Sequence, residues 1–172
     1  MHSSCMRFLL LIILFLDAVE IKAQQMFPDK CVGNWEGTMY IFQKGTLRDS
    51  VHVKFTVERK EHNKWSWKTE YLSEKFPMTK DYQMILDDST GFRFKVDEGE
   101  GIALYDYLFE NKLYSVFETH EIMLTSTYEL TKEGDLVFEV TSGKPMIGQS
   151  SDEIKNYTVQ SLQRVVLHRV NK

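Results

Sequence analysis

The chain has 172 residues, and its 21 Lys and Arg against 25 Asp and Glu give a formal net charge of -4. A composition that is 42% hydrophobic and 27% charged excludes the disordered and collagen-like classes, and the acidic balance lacks the basic footprint of a nucleic-acid-binding protein. Two cysteines are too few for a disulfide scaffold or a cysteine-rich zinc site.

Residues 1–23 have the features of a secretory signal peptide. Arg7 supplies a short positive region, an apolar run follows it, and polar residues then lead to Ala23. The apolar run is too short to cross a bilayer, which takes about 20 residues. The sequence therefore predicts an exported protein, secreted or periplasmic, with one mature domain over residues 24–172. Cleavage after Ala18, an uncleaved anchor and a buried helix are the alternatives.

The rest of the chain is predicted to form strands, because apolar and polar residues alternate with a period of two in one segment after another. Val51, Val53, Phe55 and Val57, for example, alternate with polar residues. Gly and Asn separate these runs at the positions where tight hairpins need positive φ angles. We predict nine or ten strands, near 34–44, 49–60, 64–72, 80–88, 91–97, 101–110, 112–119, 122–131, 135–142 and 157–170.

A meander of this kind leaves two edge strands without partners. The segment 157–170 has no hairpin mate, and pairing it with residues 34–44 removes both edges. The predicted fold class is therefore all-β, a single antiparallel up-and-down β-barrel of about 8–10 strands. A two-sheet sandwich is the main alternative. The spacing of Ser150 and Glu153 matches a capping box and allows a short helix near 151–156.

The first predicted strand begins Gly33-Asn34-Trp35, and basic residues lie on the last one. This arrangement resembles the calycin barrels, which include lipocalins, fatty-acid-binding proteins and nitrobindin-like proteins. The resemblance implies a lipocalin-like barrel in which Trp35 closes one end and packs against Arg169 or Arg164. It also implies a short 3₁₀ turn over residues 28–31. It implies no ligand, because the Arg-x-Tyr pattern of fatty-acid-binding proteins appears here as Arg164-Val165-Val166 and their helical lid is missing.

A barrel of this size can enclose one small ligand. The apolar registers place these side chains inside: Trp35, Met39, Ile41, Val53, Phe55, Trp65, Trp67, Met84, Phe94, Leu104, Phe117, Phe138 and Val165. We predict a ligand-binding set of Met39, Phe55, Trp65, Trp67, Met84, Phe94, Phe117 and Phe138, with Arg164 for an acidic head group if it faces inward. The alternative is that the aromatic residues fill the barrel, and an enclosed void of about 300 Å³ separates the two.

Other chemistry-bearing residues have simpler interpretations. The sequence shows no metal-ligand spacing or nucleophile motif, so we predict no enzyme, metal or cofactor. His168 near the chain end could ligate haem, but a lone histidine is more often an ordinary residue. His52 is expected to point to water, and Cys31 to be a buried thiol. Glu118, Glu121 and Glu129 alternate with Ser and Thr as on a solvated strand.

The sequence thus favours an exported, lipocalin-like protein that binds a small hydrophobic or amphipathic molecule without transforming it. No nucleic acid and no membrane insertion is expected. The alternative function is protein interaction by a filled barrel, through exposed Tyr40, Phe42, Tyr105 and Tyr107. A barrel-based enzyme or a haem binder ranks below both.

Export makes a direct prediction. Protein recovered after secretion is expected to begin near Gln24, because the targeting segment is removed after translocation. Mass spectrometry of the intact secreted chain measures this. Recovery of the chain with Met1 still attached would contradict the signal-peptide interpretation.

Overall fold

The computed structural model describes residues 25–146, 148, 151 and 153–170, so the predicted signal peptide lies outside the described residues. Within them the chain forms one short helix, α1, and eleven strands. Their bounds are α1 Phe27–Cys31, β1 Gly33–Gln43, β2 Thr46–Val57, β3 Arg59–Glu61, β4 Lys64–Leu72, β5 Met78–Leu86, β6 Arg93–Gly99, β7 Ile102–Phe109, β8 Lys112–Thr119, β9 Ile122–Leu130, β10 Leu136–Pro145 and β11 Tyr157–Val170. No helix among these residues is long and apolar enough to cross a membrane.

Tight turns connect most neighbouring strands where the sequence predicts them. Lys44 (φ 49°) and Gly45 (φ 77°) join β1 to β2, and His120 (φ 49°) and Glu121 (φ 60°) join β8 to β9. Two successive residues with positive φ match the right-handed twist of the flanking strands. Residues 112–131 are therefore two strands rather than one bent strand.

Ten strands close into one antiparallel barrel, as the sequence predicts. Around the barrel the order is β1, β2, β4, β5, β6, β7, β8, β9, β10 and β11, and β11 pairs again with β1. The three-residue β3 extends the line of β2 and pairs with the start of β4. Because β1 pairs with both β2 and β11, the barrel has no sandwich-like break at this point.

One end of the barrel is closed by Trp35 and α1. The Trp35 side chain is fully buried, and its indole Nε1 donates a hydrogen bond to the Cys31 carbonyl (2.8 Å). The Arg169 guanidinium lies 4.2 Å from the centre of the Trp35 ring and donates to the carbonyls of Lys30 (2.8 Å) and Val32. Arg169 is therefore the basic partner of Trp35.

Gly33 leaves the space that Arg169 occupies. A Cβ atom at Gly33, where φ is +140°, would lie 2.6 Å from Nη1 of Arg169. The glycine of the Gly33-Asn34-Trp35 motif thus permits both the backbone conformation and the close approach of the guanidinium.

Two local expectations are corrected. Residues 28–31 belong to an α-helix rather than a 3₁₀ turn, since the Lys30 amide donates to the Met26 carbonyl four residues back (3.2 Å). In the β10–β11 connection, the described residues 151 and 153–156 are exposed and form no helix. Without an apolar stripe to bury, a helix there would gain nothing from packing. Ser150, the first residue of the predicted capping box, lies outside the described residues.

The closed end supplies a stability prediction. Arg169→Ala removes the stacking on Trp35 and two charge-assisted hydrogen bonds, and should lower the free energy of unfolding by about 1–2 kcal/mol. Urea denaturation followed by tryptophan fluorescence measures the change. The matched control is Arg164→Ala on the same strand, whose exposed side chain has only a 3.8 Å ion pair with Glu139 and should cost less than about 0.5 kcal/mol. Equal effects of the two substitutions would refute the role of Arg169.

Candidate ligand-binding cavity

The interior of the barrel is divided into a filled half and a hollow half. The half next to Trp35 holds the hydrophobic core, which includes six of the predicted ligand-binding residues with 0–1% exposure: Met39, Phe55, Trp65, Trp67, Met84 and Phe94. The ring centres of Phe55 and Trp67 are 5.0 Å apart, edge to face. Aromatic side chains of this size leave no room for a ligand between them. These six residues therefore face inward, as predicted, but form core.

A cavity of about 120 Å³ lies in the other half, toward the end that carries the β4–β5 and β6–β7 connections. Phe117 and Phe138 of the predicted ligand-binding set line it. The remaining lining residues are Thr69, Tyr71, Lys80, Tyr82, Val96, Glu98, Leu104, Asp106, Leu124, Ser126, Tyr128 and Val140. A larger depression of about 540 Å³ beside Gly33 and Arg169 lies on the outer surface at the closed end.

The volume of the cavity lies between that expected for a filled barrel and that expected for a barrel that encloses a whole ligand. At about 120 Å³ it is smaller than the ~300 Å³ typical of sites that enclose a drug-sized ligand. It is larger than a packing defect, and the wall is apolar along Leu104, Phe117, Leu124 and Val140. Such a cavity can hold one end of a larger molecule, with the remainder at the open mouth.

Asp106 is the buried acid of the cavity. Asp106 is 1% exposed, and its Oδ2 has no hydrogen-bond partner among the described residues. Burial raises the pKa of Asp106 to about 7, because the charged form loses its hydration. The sequence held a signal for it: Leu104, Asp106 and Leu108 share one face of β7, so a carboxylate interrupts an inward apolar register.

Three tyrosines surround the same space. Burial raises the pKa values of Tyr71 and Tyr82 to about 12 and that of Tyr128 well above its ordinary value. All three therefore remain neutral hydroxyl groups at physiological pH. Tyr128 forms the floor, with its ring 4.4 Å from Phe138 and 5.2 Å from Trp67 by centroids. At the mouth, Lys80 Nζ lies 5.6 Å from the centre of the Tyr82 ring, and Glu98 faces the same tyrosine.

The barrel wall is incompletely paired beside Asp106. The β7–β8 ladder contains only Tyr107–Tyr114, Leu108–Leu113 and Phe109–Lys112. Beyond it, the hydroxyl of buried Ser115 donates to the Tyr105 carbonyl at 2.8 Å. In this part of the wall the Ser115–Tyr105 hydrogen bond takes the place of backbone pairing between β7 and β8. Three cavity residues lie beside it: Leu104, Asp106 and Phe117.

Arg164 lies outside the cavity. It is exposed, stands opposite outward-facing Tyr40 in the β1–β11 register, and forms its ion pair with Glu139. The inward condition for an acid-binding role is therefore not met. The physical reason is the alternation of β11, in which inward Val165 forces its neighbour Arg164 outward.

The histidines and glutamates considered from the sequence lie on the surface, and Cys31 does not. His168 contacts Asp135 (Nδ1 to Oδ1, 2.8 Å) on the outer wall, and exposed His52 contacts Glu36 (3.4 Å). Cys31 is buried as predicted, and burial raises the pKa of its thiol to about 12.

Among the three glutamates of that stretch, Glu118 accepts a hydrogen bond from the Tyr157 hydroxyl (3.0 Å) and Glu129 pairs with Lys112 (3.1 Å). Glu121 lies in the exposed β8–β9 turn.

The aromatic residues expected on one outer patch are spread over the barrel. Tyr40 lies on β1, whereas Tyr105 and Tyr107 lie on β7, five strands away in the barrel order, and Phe42 is half-buried. Sequence reasoning missed the cluster that does form: the ring centres of Tyr107 and Phe109 are 6.4 Å apart, and those of Phe109 and Tyr114 are 5.8 Å apart. All three side chains are exposed.

Comparison with known proteins gives likeness in structure only. No family model and no curated protein matches the sequence. An S-type phycobiliprotein lyase, CPES of Guillardia theta, superposes with a TM-score of 0.59 at 9% identity, covering 85% of this chain and 92% of the lyase. A protein of unknown function from the DUF3598 family of Nostoc punctiforme gives a TM-score of 0.57 at 13% identity over 83% of this chain. This chain spans 49% of the length of that protein.

A variant of the fluorescent protein UnaG matches at 16% identity over 84% of this chain and 99% of its own, with a TM-score of 0.45. The closed ten-strand barrel and the likeness to the lyase show that the fold is calycin-like, as the resemblance implied. At these identities the comparisons carry the architecture and no residue of the site.

The buried carboxyl of Asp106 predicts a pH dependence of stability. Asp106 holds its proton up to about pH 7 in the folded chain, against an ordinary pKa of 3.8, so between these values the folded state binds more protons than the unfolded state. The free energy of unfolding should therefore fall as pH rises from 4 to 7.5, by up to about 4 kcal/mol from this group. Asp106→Asn should abolish this contribution to the fall in the free energy of unfolding.

Urea denaturation at pH 5, 6, 7 and 8 measures the difference between variant and parent. The control is Asp81→Asn, which makes the same substitution at an exposed position on β5. A difference for Asp106→Asn that is independent of pH would show that the carboxyl is not perturbed by burial.

Proposed function

We propose that this protein is an exported carrier that binds one end of a small hydrophobic or amphipathic molecule inside the barrel, without transforming it. The observation that carries the proposal is the cavity in the open half of the barrel, where the filled half supplies a rigid floor. Export rests on the character of residues 1–23, which the sequence analysis describes.

The lining suits an amphipathic molecule. Phe117, Leu124 and Val140 offer apolar contact along the cavity wall, and Lys80 and Glu98 place polar groups at its mouth. Because the enclosed volume is small, we expect one end of the ligand to enter while the rest stays at the mouth. Burial of the apolar carbons at the end that enters is the main source of affinity.

The comparisons support the coarse form of this proposal. A calycin-like barrel occurs in a protein named as a phycobiliprotein lyase, so the same architecture is found where a protein acts on a specific partner or substrate. The chemical identity of the ligand is not carried over at 9% identity. It has to come from the residues of this cavity.

Protein interaction is the second candidate. It is favoured by the exposed aromatic cluster of Tyr107, Phe109 and Tyr114, because exposed aromatic groups are enriched where proteins bind one another. The cluster lies outside the barrel, so a cavity ligand and a protein partner would not compete for the same side chains.

Blocking the cavity tests the first candidate. Ser126→Phe places a ring in the cavity and should weaken binding of Nile red, an uncharged apolar dye, by about tenfold or more. The matched control is Thr127→Phe, because the next residue of a strand points to the opposite face. Fluorescence titration gives the affinities, and circular dichroism verifies that both variants are folded.

Retained dye affinity in Ser126→Phe would contradict binding in the cavity. If the parent protein binds neither the dye nor 1-decanol, the ligand-binding function itself fails. The exposed aromatic cluster then becomes the leading site.

A further inference from the structure

We propose that Asp106 accepts a hydrogen bond from an N–H group at the inserted end of the ligand. An ammonium group would form the strongest such hydrogen bond. The cavity would then select amphipathic amines over carboxylic acids. This inference rests on the proposed ligand-binding function and names the polar chemistry of the same site.

The geometry supports an external donor. Asp106 Oδ2 has no partner among the described residues although the residue is 1% exposed, and the carboxyl group borders the cavity. A buried acceptor without a hydrogen bond is costly, so native proteins rarely leave one unsatisfied. A ligand that brings N–H groups into the cavity would supply the hydrogen-bond donor that the described residues do not provide for Oδ2.

The neighbouring side chains leave this acceptor free. Leu104 and Phe117, which lie on either side of the gap between β7 and β8, have no polar side-chain atoms. Ser115, on β8 across that gap, donates its hydroxyl hydrogen to the Tyr105 carbonyl, and no hydroxyl group of the described lining hydrogen-bonds to Oδ2. The register of β6 and β7 places the apolar ring of Phe94 opposite Asp106.

The charge of the lining also favours a cation. Two carboxyl groups, Asp106 and Glu98, face the cavity against one ammonium, that of Lys80 at the mouth. A ligand carboxylate pushed to the depth of Asp106 would meet a like charge in a poorly hydrated site, which is unfavourable. An ammonium or other N–H donor at that depth would form a charge-assisted hydrogen bond.

Binding of a cation should depend on pH through Asp106. The titratable and charged groups that face it are Tyr71 on β4, Lys80 and Tyr82 on β5, Glu98 on β6 and Tyr128 on β9. The three tyrosines keep their protons throughout, since burial raises the pKa values of Tyr71 and Tyr82 to about 12 and that of Tyr128 well above its ordinary value. Asp106, with a pKa of about 7, changes charge between pH 5.5 and 8.5.

The test compares three molecules with one chain length: decylamine, 1-decanol and decanoate, each displacing Nile red at pH 5.5 and 8.5. We expect decylamine to bind about tenfold more tightly than decanoate at pH 8.5, and its affinity to rise from pH 5.5 to 8.5 as Asp106 ionises. Decanol affinity should be independent of pH.

Two variants assign the effect. Asp106→Asn should remove the preference for decylamine and its pH dependence while leaving decanol affinity within about twofold. Asp81→Asn, which neutralises an exposed carboxyl group on β5 outside the cavity lining, should keep both. Asp106→Asn relieves a buried charge, so failure to fold is not expected at pH 8.5, and circular dichroism verifies it.

The outcomes separate the two proposals. The role of Asp106 is overturned if decanol binds and decylamine is not preferred, or if the preference for decylamine survives Asp106→Asn. Ligand binding then stays intact, and water is the partner of the carboxyl group. A preference for decanoate that is lost in Lys80→Met also overturns the role of Asp106, because the mouth would then select an anion. Failure of all three molecules to displace the dye overturns it, and failure of both the dye and 1-decanol to bind, the latter measured directly by calorimetry, refutes the proposed function as well.

Discussion

Pairing of β1 with β11 holds the two ends of the domain together, and the rest of the structure depends on it. The register sets Trp35 opposite Arg169, on the inner side, and Tyr40 opposite Arg164, on the outer side. Closure satisfies the backbone groups of both terminal strands and lets the guanidinium stack on the indole. With α1 beneath it, this end of the barrel is sealed by a single packed unit, so any ligand must enter elsewhere.

The division of the interior follows from the sizes of the inward side chains. Tryptophan and phenylalanine crowd the half near α1, where strands bring Trp35, Trp65 and Phe94 to full burial. Toward the other end the inward positions include small side chains, such as Thr69 and Ser126, among larger ones, and a cavity of about 120 Å³ remains between them. The same closed sheet thus provides a rigid core and a cavity, because packing density depends on local side-chain volume.

Asp106 is the point at which stability and function oppose each other. A carboxyl group in an apolar register is unfavourable for folding, and the surrounding strands hold it there although its Oδ2 has no hydrogen-bond partner in the described part of the chain. Proteins keep such groups where a site needs them, and a strongly shifted pKa inside a cavity is a common mark of function. The incomplete β7–β8 ladder places this group beside the least regular part of the wall.

The sequence alone determined the fold class, a meander of nine or ten strands and the closure by the last strand. These follow from local alternation, turn residues and the need to remove sheet edges, which a linear pattern records directly. Trp35 as the plug was implied by the resemblance of Gly33-Asn34-Trp35 to the calycin barrels. The outward position of Arg164 was also readable, because Val165 beside it belongs to the inward set. The sequence likewise held Asp106 between Leu104 and Leu108, although the alternation does not say how deeply it is buried.

Tertiary structure decided the rest. A strand pattern states which side chains face inward but not the height at which each one meets its neighbours across the barrel. Six of the predicted ligand residues therefore became core, while Phe117 and Phe138 reached the cavity. Tyr71 and Tyr82 lie on the paired neighbouring strands β4 and β5, whereas Tyr128 comes from β9, and closure of the barrel brings it into the same lining as the other two. Whether a barrel is filled or hollow depends on volumes summed across all ten strands, a quantity that exists only once the sheet has closed.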